Sequence, residues 1–151
     1  MAYTTEEARQ QLLDDLARAI HEIGVALAAL GEAYERLDER TADRLEEELF
    51  RPTQLLYGRA KRTHSGFAER HGLPPRALPA PPAPPGRDAR SFIEAAADAA
   101  EAADQLLAEL QDSMLPVEVG DPPLRAGLAE AREAVGPLPG RAQALMRVLG
   151  R

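Results

Sequence analysis

Apolar residues recur along this chain at alternating spacings of three and four in four successive stretches, and nowhere in the two-residue alternation of a strand. The first stretch, Leu13, Leu16, Ile20, Ile23, Leu27, Leu30, Tyr34 and Leu37, keeps a heptad phase for more than three repeats, so its seam must bury against other helices. Thr4 or Thr5 supplies an N-cap, and Glu6 and Glu7 put negative charge in the first turn, where the helix dipole favours it. The register breaks between Leu37 and Ala42, and a helix unbroken to Phe50 would be about 70 Å long at 1.5 Å per residue. The pattern therefore predicts a first helix over about 4–38, a tight turn near 38–41 with Thr41 as the next cap, and a second helix over about 42–71. Pro52, which has no N–H to donate, should kink the second helix.

Two further stretches follow a Pro-rich segment at about 72–87, which holds seven of the thirteen prolines. Asp88 caps a third helix over about 88–114 with the seam Ile93, Ala96, Ala100, Ala103, Leu107, Leu110 and Met114. Asp121-Pro122 opens a fourth over about 122–149, seamed by Leu124, Leu128, Ala131, Val135, Leu138, Ala142, Leu145 and Leu149. Its phase survives Gly136-Pro137, so a bend or short break is expected there. The expected fold is all-α: a four-helix bundle of two antiparallel hairpins joined by the Pro-rich connection, one domain spanning 1–151. In polyproline II conformation that connection reaches about 45 Å, enough to let the second and third helices run parallel. Within it, Arg76-Ala-Leu-Pro79-Ala-Pro-Pro82 fits the R-x-x-P-x-x-P pattern that SH3 domains read, but a semi-rigid spacer accounts for the same residues.

Composition narrows the core and the chemistry. Aromatics make up 4% of the chain and Trp is absent, so the interior must be Leu, Ile, Val and Ala. The absence of Cys removes disulfides, thiolate metal sites and cysteine nucleophiles. The longest apolar run, Ile23 to Leu30, is far short of the roughly 20 residues a membrane span needs, and the N-terminus has neither the basic start nor the apolar run of a secretory signal. A soluble, cytoplasmic protein without membrane contact is expected. The net charge of −7 disfavours nucleic acid.

That charge is unevenly spread: residues 51–76 carry six Lys/Arg against Glu69 alone, whereas 1–50 carry five against thirteen acids. With Tyr57 at 0° and about 100° per residue, Leu56, Ala60, His64, Phe67 and His71 fall between about 260° and 340°, an apolar arc. Arg51, Arg59, Arg62 and Arg70 fall opposite, between about 120° and 220°. Together with Lys61 they form a candidate anion- or partner-binding surface. The inward histidines should hydrogen-bond to polar groups on neighbouring seams, with Tyr34, Asp104 and Gln111 as candidates; the alternative is a small-ligand pocket lined by Tyr57, His64, Phe67 and His71 with Tyr34 and Asp104.

His64 and His71 lie about 10.5 Å apart along a helix axis, too far to share one metal ion, and no Glu-x-x-His or His-x-x-x-His occurs. Neither phosphate-cradling nor nucleophile-elbow motifs are present, so no metal, cofactor or catalytic residue is assigned. The sequence is read as a non-enzymatic interaction or regulatory protein docking through helix surfaces, a homodimer by way of an Ala-rich or leftover apolar face. The other class is a ligand- or cofactor-binding bundle, enzymatic or not, using the inward face of the second helix.

Overall fold

In the computed structural model, which describes residues 4–149, Thr4 opens the first helix. Its hydroxyl accepts the Glu7 N–H at 3.1 Å while the Glu7 carboxylate accepts the Thr4 N–H at 3.2 Å. Such a reciprocal pair, worth about 1 kcal/mol, fixes the start of α1 (Thr5–Tyr34). Asp88 with Ser91 does the same for α4 (Ala89–Asp112), and Asp121 accepts the Leu124 N–H at 2.9 Å to start α6 (Pro122–Val135). The remaining segments are α2 (Glu39–Leu45), a π turn (Glu46–Phe50), α3 (Arg51–Arg70), α5 (Leu115–Glu118) and α7 (Leu138–Leu149). Of the domain expected over 1–151, residues 1–3 and 150–151 lie outside the described residues.

The long helices form an all-α bundle whose directions follow from which ends meet. Gly24 of α1 lies against Tyr57 and Gly31 faces Phe50, so α3 descends as α1 rises. The Arg36 guanidinium stacks on the Phe92 ring at 4.7 Å and Arg9 Nε donates to the Val119 carbonyl at 3.1 Å, so α4 also runs antiparallel to α1. Pairs Arg70–Asp121 and Arg132–Asp104 set α6 antiparallel to both α3 and α4. Helices α3 and α4 are consequently parallel, and the Pro-rich strap returns the chain to the top. It climbs α1: Arg76 pairs with Asp14, Leu78 shares a small cleft with Ile20, and Pro81 packs over Gly24. Arg76 and Pro81 of the R-x-x-P-x-x-P stretch are thus engaged with α1 within the fold.

Packing is closest between α1 and α4, where Ala26, Ala29 and Ala33 meet a helix whose buried face is mostly alanine. Small side chains let the two backbones approach. Their burial corrects the first seam: the interior follows Ala26, Ala29 and Ala33, leaving Leu27 and Leu37 half-buried and Tyr34 exposed. A straight helix drifts against a strict seven-residue repeat, so a seam that starts at Leu13 and Leu16 has rotated off the core by Tyr34. The α6 and α7 seam is buried from Leu124 to Leu145 and continues across the short break at Gly136-Pro137.

Other boundaries also move. The turn after α1 comes at 35–37, and Asp38 rather than Thr41 is the next cap, taking the Thr41 N–H at 2.8 Å; a carboxylate accepts more strongly than a hydroxyl. The expected kink at Pro52 takes the form of the π turn, in which the Arg51 N–H bonds to the Glu46 carbonyl. The Glu48 carbonyl, which a residue with an N–H at position 52 would bond in an α-helix, accepts Arg141 Nη1 at 3.3 Å. α3 ends with Gly72 at φ +64°, the Leu73 N–H on Ala68 and Leu73 buried, a Schellman closure that turns the chain into the strap. Met114, assigned to the third seam, instead has left-handed backbone (φ 69°), is exposed, and starts the additional helix α5.

Candidate functional site

Helix α3 has two unlike faces, as its wheel implies. Tyr57, His64 and Phe67 are buried with Leu56 and Ala60, while Arg51, Arg59, Arg62 and Arg70 are exposed. His71 follows the last turn and is half-buried, its ring 4.4 Å from that of Phe67.

The two histidines differ in partner. His71 Nε2 meets Asp121 Oδ2 at 2.9 Å, and Arg70 grips the same carboxylate through Nε at 2.8 Å and Nη2 at 3.0 Å. Asp121 therefore ties the end of α3 to the start of α6. The Arg70 hydrogen bonds hold its carboxyl well below the usual carboxylate range, and the Leu124 N–H and His71 add to that. His64 is 2% exposed and its Nε2 has no hydrogen-bond partner among the described residues. Burial pushes its pKa below the ordinary value; the Leu13 backbone and Asp14 oppose that shift and Arg76 reinforces it.

The expected partners of the histidines are elsewhere. Tyr34 stands about 30 Å up α1 from Leu13, the neighbour of His64, and lines a separate cleft with Gly31 and Phe50. Asp104 and Gln111 both receive Arg132 of α6, at 3.2 and 3.0 Å. Tyr57, His64, Phe67, His71, Tyr34 and Asp104 thus do not converge on one pocket. Of them, His64 alone walls the cleft of about 620 Å³ between α3 and the base of the strap, with Ser65, Glu69, Leu73 and Arg76 among its other walls. Among the described residues no three His, Asp or Glu side chains come together as a metal site.

The cationic surface is also smaller than its sequence suggests. Arg70 is committed to Asp121, and the Lys61 ammonium sits 4.2 Å over the Tyr57 ring. Arg51 reaches Glu46 only at 3.9 Å, and Arg59 and Arg62 make no ion pair among the described residues. Between them stands Leu55, 57% exposed. At about 160° on the wheel it is the apolar residue in the middle of the arginine arc, a signal present in the sequence. Leu55 lines a groove of about 280 Å³ between α3 and α6, floored by Leu56, Ala60 and Ala131.

No helix among the described residues is long and apolar enough to cross a membrane. No family model, curated protein or solved structure matches the chain.

Proposed function

We propose that this chain is a non-enzymatic interaction or regulatory protein of the cytoplasm that docks a protein, of another kind or of its own, through the outward face of α3 and its groove with α6. Leu55 carries the reading. A leucine 57% exposed is ordinary by itself, and Val117 is more exposed still; Leu55 is set apart by lining a concave surface floored by Leu56, Ala60 and Ala131 and rimmed by Arg51, Arg59 and Arg62, an apolar patch with a polar rim such as contact surfaces use. Arginine suits such a surface because its stem covers apolar area while its fork pairs with carboxylates. A photo-cross-linking residue at position 55, compared with one at exposed Glu101 on α4, tests it in the native host. Protein adducts specific to position 55 support the reading; none at 55, or equal adducts at both, refutes it.

A second reading, a small-molecule-binding bundle, has one observation in its favour: the Nε2 of His64, which has no partner among the described residues and whose ring walls the cleft beside the strap. Native mass spectrometry of the protein from its own host would show a compound at stoichiometric occupancy that His64→Leu abolishes. A bare chain from the same preparation refutes it.

A further inference from the structure

The docking reading leaves the occupant of the α3–α6 groove unnamed, and the charges on its walls name one. The two helices are antiparallel and stand at matched levels: a Cβ on Gly127 would lie 2.5 Å from Thr63 Oγ1. One turn from that contact, α3 reaches Arg59 and α6 reaches Glu130, with Glu133 a further turn on. All three are exposed groove walls, and none makes an ion pair among the described residues. At this height the α3 wall is therefore positive and the α6 wall negative, while Arg141 of α7, which donates to the Glu48 carbonyl, adds a cation only at the groove's upper end.

We propose that the groove receives a second copy of this chain, face to face about a two-fold axis running along it; the proposal rests on the docking reading above. Rotation about that axis exchanges the walls and leaves heights unchanged. Helix α3 of each protomer then lies over α6 of the other, bringing Arg59 onto the partner's Glu130 and Glu133, and the reverse pairs form by symmetry. Leu55, eight residues up α3 from the Thr63–Gly127 contact, stands within one residue's rise of Ala134, seven residues up α6, so each exposed leucine leaves water for the opposite side of the other protomer's groove. A purely acidic ligand would be drawn to Arg59 and repelled by the glutamates 130 and 133, whereas a second copy satisfies both signs at once. The patch is about 16 Å long and about 20 Å wide, less than a standard interface of about 800 Å² per partner, so a weak, concentration-dependent dimer is expected.

Sedimentation equilibrium of the full chain at low salt, from about 1 to about 200 μM, tests this with Arg59→Glu, Glu130→Arg and the two combined. Each single reversal acts twice in a symmetric dimer and should weaken it at least tenfold, while the combined variant should recover to within a few-fold of the parent. Circular dichroism melts of each variant check that these exposed substitutions leave the fold intact. A parent that dimerises but is not rescued by the combined reversal overturns the proposed pairing, and a parent monomeric throughout overturns self-docking. In either case, adducts to another protein at position 55 would leave the docking reading standing, and their absence would remove that too.

Discussion

Removing the Asp121 carboxylate should loosen one end of the bundle by a calculable amount. Asp121→Ala deletes the N-cap of α6, about 1 kcal/mol. It also deletes the Arg70 pair, about 0.5 kcal/mol once discounted for an arginine side chain 40% exposed. Half-buried His71 is left without an acceptor, roughly another 1 kcal/mol. Together these come to about 2 to 3 kcal/mol, or about 5 to 10 °C in Tm for a chain of this size. Asp121→Asn keeps a good cap and should lose about 1 kcal/mol less.

The pH dependence has a definite sign. Arg70 lowers the carboxyl pKa in the folded state, so the unfolded chain, titrating near about 4, binds more protons there. The contribution is complete above about pH 4 and fades as pH falls below it. Urea melts of parent, Ala and Asn variants between about pH 7 and about pH 3 read both effects. If both variants fall within about 0.5 kcal/mol of the parent, or if the Asn variant loses as much stability on acidification, Asp121 is not the tie between α3 and α6.

Other expectations follow from close contacts and from His64. Gly24→Ala puts a Cβ 2.7 Å from Pro81 Cδ and should lift the strap, costing about 1 to 3 kcal/mol and speeding proteolysis within 73–87; unchanged cleavage would deny that the strap packs there. Gly127→Ala should cost about as much through Thr63 and recover when Thr63→Ala is added, whereas additive losses would mean that the helices are not closest at this point. Burial lowers the His64 pKa, so stability tied to its neutral ring is full above about pH 6.5 and declines as pH falls; His64→Leu should flatten the stability profile between about pH 7 and 5, and an unaltered slope would contradict a buried neutral imidazole.

Local signals in the sequence were legible because local physics decides them. Thr4, Asp88 and Asp121 each open a helix as their side chains and positions imply, and the Leu124-to-Leu145 seam is buried as its spacing requires. The Asp38 cap lay three residues from the expected one because two good caps, Asp38 and Thr41, share one turn. What failed was non-local. The partner of His71 lies 50 residues away on a helix start, and no periodicity within α3 points to it. Likewise Arg132 of α6 takes Asp104 and Gln111, which the wheel of α4 could only place near a seam. Met114 matched the helical repeat, yet its left-handed backbone is set by how α4 hands the chain to α5. Leu55 is a different case: its position among the arginines follows from spacing alone, but only the structure sets it beside a groove.

The two-faced character of α3 is most directly measured with thiols, since the chain has no cysteine to interfere. Leu55→Cys and Arg59→Cys, labelled in the native state and well below the micromolar range, should react with a maleimide at rates near those of an unfolded peptide. Ala60→Cys and Phe67→Cys should react orders of magnitude more slowly, limited by opening of the bundle. Comparable rates at all four positions would mean that α3 does not divide into a core face and a contact face.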